Sequence, residues 1–120
     1  MSEIRNKKHA RNLVLFKGME FHRGIYPTDL DAFIEVDNET FILIECKKGN
    51  SKPDRGQALA LRRLVDSLKD KRAYLLLASH QSDGDIILAD CLVTYFRHNG
   101  ETRKTNKRVT VREFTDWILR

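Results

Sequence analysis

PTDLDAFIEVDNETFILIECKKG, residues 27–49, decides the reading of this chain. It opens one apolar strand at Pro27-Thr28-Asp29-Leu30-Asp31 and closes the next at Glu45-Cys46-Lys47. Asp37-Asn38-Glu39 between them has the composition of a turn, because short polar side chains tolerate its backbone angles. Side chains alternate along a strand, so Asp29, Asp31, Phe33 and Glu35 share one face of the first strand. Phe41, Leu43, Glu45 and Lys47 share one face of the second. A hairpin of this length sets Asp31 opposite Glu45 or Lys47, all on one side of a sheet.

Two carboxylates at one site repel, and each loses hydration behind a sheet, so the arrangement requires a compensating cation. Lys47 supplies one positive charge, and a divalent metal would supply more. Oxygen ligands with open positions suit Mg²⁺ or Mn²⁺, whose usual partners are phosphate oxygens. The chemistry this implies is metal-assisted phosphodiester hydrolysis. The Glu-x-Lys triplet alone is not specific, since 17 acidic residues and ten lysines produce such a triplet by chance. Its context is specific: it ends the apolar run Phe41-Ile42-Leu43-Ile44 and follows an Asp-bearing strand at hairpin distance.

These residues resemble the PD-(D/E)XK nuclease superfamily, over roughly residues 13 to 78, and small phage-type members with a Pro-Thr-Asp-Ile-Asp-like first motif most of all. The resemblance implies an α/β fold with a restriction-endonuclease-like core: a central mixed β-sheet flanked by helices in αβββαβ order, here followed by a C-terminal β-hairpin and short helix. It implies that Asp31 and Glu45 hold Mg²⁺ or Mn²⁺ together with the backbone carbonyl of Cys46, and that Lys47 orients or activates water. Asp29 is the alternative ligand; Asp31 is favoured because it lies deeper in the strand, with Asp29 in a supporting or turn role. The activity implied is that of a divalent-metal-dependent DNA endonuclease in phage or prokaryotic DNA processing, recombination or repair. The alternative is an inactive module of the same fold that binds DNA or a protein partner.

Beyond the hairpin, 50–56 reads as a loop, and a helical pattern follows from about Arg55 to Asp70. Its buried stripe is Ala58, Leu61, Leu64, Val65 and Leu68. Gln57, one turn before Leu61, also faces the sheet near Glu45 and Lys47; it joins the catalytic set or simply bonds a free backbone group at the helix start. Residues 73–78 read as a buried strand reached through the helix as a crossover. Strands over 86–97 and 102–109 flank the hairpin signal Asn99-Gly100. Thr110 and Glu113 form a capping box for a last helix that closes the core with Trp117, Ile118 and Leu119.

One domain over residues 1–120 is expected, with a basic N-terminal segment over about 1–12 and no repeat or linker to divide it. There is no signal-peptide pattern or membrane-length apolar run, and Cys46 and Cys91 fit no disulfide framework, so a cytoplasmic setting is expected, that of a bacterial host for a phage-encoded chain. The net charge of +5 gathers at residues 5–11, 47–55 and 103–108. Lys48, Lys52, Arg55, Arg103, Lys104, Lys107 and Arg108 are the candidate contacts to a DNA backbone. A homodimer would supply the two sites needed to cut both strands. His9, His22, His80 and His98 lack zinc-site spacing, and Ser79-His80 with Ser82-Asp83 lacks a nucleophile elbow. Glu3 and Glu20 read as surface carboxylates, with an additional site glutamate the lesser reading for each.

Overall fold

The computed structural model describes residues 14–49 and 55–120. Its centre is β2 (Thr40–Lys48) beside β3 (Arg72–His80), and both strands are long apolar runs because both of their faces are covered. β1 (Ala32–Val36) pairs antiparallel with β2, and β3 runs parallel to β2, as the crossover reading expects. The crossover is α1 (Arg55–Ser67). β4 (Leu92–His98) and β5 (Glu101–Lys104) extend the sheet antiparallel, giving five strands in the order β1-β2-β3-β4-β5. α2 (Val111–Ile118) completes the chain.

The sheet is a mixed layer between two helices. On one face, Leu43, Ala73 and Leu75 pack with Leu61 and Val65 of α1. On the other, Ile42, Ile44, Tyr74, Leu76, Ala78 and Val93 pack with Val111, Phe114 and Ile118 of α2. Burying each large aliphatic side chain contributes about 1.5–3 kcal/mol, so these two clusters are the main source of stability. The capping box on α2 is complete: Thr110 Oγ1 accepts the Glu113 N–H at 3.1 Å, and Glu113 Oε1 accepts the Thr110 N–H at 2.9 Å.

Several boundaries differ from the sequence reading. The expected order has a helix and three strands ahead of the crossover helix, whereas the described residues hold two strands there, preceded by a short 3-10 turn at His22–Gly24. Gly18 and Gly24 both take positive φ in that segment, which breaks any extended run. β1 begins at Ala32 rather than in the Pro27-Asp31 stretch. There the carboxylates compete with the ladder: Asp29 Oδ1 takes the Leu30 N–H at 2.9 Å and Asp31 Oδ2 takes the Cys46 N–H at 2.7 Å. Residues 86–91 are irregular, with a 3-10 turn at Leu88–Asp90, so the strand expected over 86–97 starts only at Leu92. β5 likewise ends at Lys104 rather than 109; the chain continues beside β4 through single bonds such as Val93 N–H to the Val109 carbonyl, 2.9 Å. Leu64 is 48% exposed, because the stripe through Leu61 and Val65 carries the contact with the sheet. Asn99 and Gly100, both at positive φ, form the two-residue turn expected of that pair.

Candidate active site

Register alone fixes the central relationship. Ala32 stands opposite Ile44, so continuing the pairing by one residue sets Asp31 opposite Glu45 rather than Lys47. The N–H and C=O of one strand residue point to the same edge, and Cys46 directs its N–H to Asp31, so the Cys46 carbonyl also faces the open end of β1. Glu45 then directs its own backbone groups to β3, and Asp31 and Glu45 occupy the kind of antiparallel position in which side chains stand closest.

Glu45 is 2% exposed and is the one charged side chain in the buried set of described residues. Burial, followed by the hydrogen bond and the charge of Asp31, pushes its carboxyl up to about 8, while Lys47 pulls the other way and Asp29 adds a smaller upward push. Gln57 reaches down from the first turn of α1: its Nε2 donates to Glu45 Oε2 and, at 3.0 Å, to the Asp29 carbonyl. Gln57 therefore binds the buried carboxylate and a backbone carbonyl of the segment before β1 together, rather than a backbone group at the start of its own helix. Lys47 follows Glu45 on the same face, half-buried. Among the described residues it makes no ion pair within 4 Å.

Asp31, Glu45, Lys47 and Gln57 thus converge on the α1 face at the C-terminal end of β2, with Asp29 beside them through its carbonyl. Among the described residues no group of three or more His, Cys, Asp or Glu side chains stands together as a metal cage. Two carboxylates and one backbone carbonyl, all oxygen, are the groups here that could hold a hard cation such as Mg²⁺ or Mn²⁺. Burial and the neighbouring Asp31 oppose ionisation of Glu45 at neutral pH, which a nearby cation would favour. The Cys46 side chain turns to the opposite face, where burial and the neighbouring Cys91 thiol push it up to about 12, leaving no thiolate for chemistry at neutral pH.

The basic candidates do not gather into one patch. Lys48 follows Lys47 on the opposite face of β2 and pairs with Asp83, and Arg55 opens α1. Lys104, opposite Tyr95, lies on the α1 face, whereas Arg103, opposite the core residue Phe96, lies on the α2 face and pairs with Glu101 at 2.7 Å. Lys107 and Arg108 lie in the segment between β5 and α2. Lys52, Glu3 and the basic run 5–11 lie outside the described residues. Glu20 is exposed, and His80 is engaged locally through the Ser82 N–H at 3.2 Å. Arg62 and Tyr95 were not among the sequence candidates. A signal existed for both: Arg62 follows Arg55 at seven residues on a helix, and Tyr95 alternates with Phe96 on a strand.

Comparison with models of protein families, with curated proteins and with solved structures finds no match.

Proposed function

We propose that this chain is a divalent-metal-dependent nuclease that hydrolyses DNA phosphodiester bonds, built on a restriction-endonuclease-like core. The reading is carried by the Asp31–Glu45 carboxyl pair, whose buried member lies against Asp31 and Gln57 on the face that also carries Lys47. A purely structural role accounts for it poorly, because even a hydrogen-bonded buried carboxyl loses its hydration and an apolar residue would pack better at this position.

Asp31, Glu45 and the Cys46 carbonyl are the groups that would hold Mg²⁺ or Mn²⁺, with Asp29 as the alternative carboxylate. When bound there, such an ion supplies charge neutralisation at a phosphate and acidification of a water molecule. Cys46 N–H fixes the Asp31 carboxylate at the strand end. Gln57 fixes one oxygen of Glu45, whose carboxyl also hydrogen-bonds with Asp31, so the two carboxyls are held against each other. A cation held there would favour the ionised form of Glu45, because it would offset the burial and the Asp31 charge that oppose ionisation. Lys47 holds the attacking water and stabilises negative charge as it develops on the phosphate, the kind of preorganised electrostatics that dominates catalysis. Cleavage of both strands of a duplex calls for two copies of the site, and hence for a homodimer on DNA.

Thermal unfolding with Mg²⁺ or Mn²⁺ against EDTA tests the site directly. A specific cation site raises the melting temperature with metal concentration, by linkage to the folded state. The shift is expected in the native protein and lost in Glu45→Gln and Asp31→Asn. No shift in the native protein would overturn the metal site and favour an inactive module that binds DNA or a protein.

A further inference from the structure

α1 covers only part of its sheet face. Its apolar contacts fall on β2 and β3, and the remaining floor, from β3 to β5, is open. A concavity of about 580 Å³ lies there, bounded by Arg55 and Arg62 of α1 and floored by Leu77 and Tyr95. The pairing makes its relation to the catalytic pair explicit: Glu45 neighbours Leu77, Leu77 neighbours Tyr95, and Tyr95 neighbours Lys104. With Asp31 opposite Glu45, these residues form one row across one face of the sheet, and neighbouring strands are about 4.8 Å apart. The row runs from two carboxyls, through an apolar step and an aromatic ring, to a cation. Tyr95 is 42% exposed, and no other aromatic ring among the described residues stacks on it. Arg97 closes one end as a fixed wall, held by Asp66 at 2.7 and 2.9 Å and by Thr102 at 2.8 Å.

We infer that this groove holds a single strand of the nucleic acid, with a base stacked on Tyr95 and phosphates against Arg55, Arg62 and Lys104, so that the strand leads into the Asp31–Glu45 site. The inference takes the nuclease reading as its premise and adds the form of the substrate. Charge complementarity selects a polyanion, since Arg55 and Arg62 on the rim and Lys104 beside Tyr95 are exposed and make no ion pair among the described residues. The apolar floor with an exposed ring selects unpaired bases, because every base has a face to stack and a paired base does not offer it.

The test measures binding in EDTA, apart from any cleavage, with a fluorescein-labelled oligothymidylate of about 12 nucleotides, within the usual range of single-strand sites. A duplex of the same length is the comparison. The native protein binds the single strand more tightly than the duplex. Tyr95→Ala weakens single-strand binding by about 5- to 150-fold, the range of one base–aromatic stack, and Tyr95→Phe retains it. Arg62→Gln and Lys104→Gln each flatten the slope of log affinity against log salt by roughly 0.7. Circular dichroism and melting of each variant verify its fold. Unchanged affinity in Tyr95→Ala, equal loss in Tyr95→Phe, or preference for the duplex would overturn the inference. So would a Tyr95-dependent dimer in the absence of oligonucleotide, which would assign the groove to a second copy of the chain. The two readings fail separately. Native affinity in Tyr95→Ala with metal-dependent cleavage intact removes the groove alone, and weakened binding in Tyr95→Ala with no cleavage by the native protein removes the nuclease alone.

Discussion

Asp31 Oδ2 accepts the backbone N–H of Cys46 at 2.7 Å. The bond ties the carboxylate before β1 to the middle residue of Glu45-Cys46-Lys47, so one contact sets the position of Asp31 relative to the acid and the amine on either side of Cys46. Asp29, by contrast, spends an oxygen on its neighbour's N–H and offers Gln57 its backbone carbonyl.

That difference separates the two aspartates experimentally. Asp31→Asn lowers metal-dependent cleavage by about 10²-fold or more, as expected for loss of one preorganised charged group. Asp29→Asn has a smaller effect, because the backbone carbonyl that Gln57 uses is retained. Parallel single-turnover rates with one substrate check this. Equal loss in both variants would mean that the two carboxylates act as a unit.

Stability of the metal-free protein falls as pH rises from about 4.5 to about 8. Glu45 has its carboxyl raised from 4.5 to about 8 in the folded chain, so over that interval the folded state binds more protons than the unfolded state. The contribution is fully present below the unfolded value and is lost as pH passes through the folded one. Urea unfolding in EDTA across this range measures it, and a loss of a few kcal/mol at most is expected. Glu45→Gln removes the slope and is the more stable protein at high pH. A Glu45→Gln profile parallel to that of the native chain would contradict the assignment.

The Asp66–Arg97 pair behaves oppositely. The hydrogen bond from Arg97 holds the Asp66 carboxyl below its usual range. Its contribution is present above the unfolded value and lost as pH falls through the folded one. Arg97→Ala costs about 1–2 kcal/mol at neutral pH, since a bidentate, partly exposed pair lies above the ordinary surface ion pair. Chemical unfolding at neutral and acidic pH tests both points, and the difference between native and variant shrinks in acid.

Thr110→Ala removes the hydroxyl acceptor at the start of α2 and destabilises the protein by about 1 kcal/mol. Thr110→Ser retains the cap. Comparison of their melting temperatures isolates the cap from loss of the methyl group.

The hairpin, the crossover and the capping box were legible because each has a local signature: alternation into Asp37-Asn38-Glu39, an apolar run followed by a helical stripe, and Thr110 three residues before Glu113. The pairing distance placed Asp31 opposite Glu45 or Lys47, and the register, with Ala32 opposite Ile44, chose Glu45. The short β1 was not legible, because whether a carboxylate takes an N–H from its neighbour or from another strand depends on tertiary placement. The early end of β4 toward residue 86 was hidden similarly: Ile86 and Ile87 read as strand residues yet are exposed. The dispersal of the basic residues over two faces follows from strand parity at Arg103 and Lys104, which composition cannot report. Tyr95 escaped notice because its partners in the row come from four different strands or strand ends.

The most direct measurement is cleavage of supercoiled, linear, branched and single-stranded DNA by the native protein and by Lys47→Ala, in Mn²⁺, Mg²⁺ or EDTA, with products sized on gels. The account predicts cleavage that requires the metal and falls by about 10²-fold or more in Lys47→Ala, with the fold of the variant intact. Cleavage at the native rate by Lys47→Ala, or none by the native protein on any substrate, would contradict it.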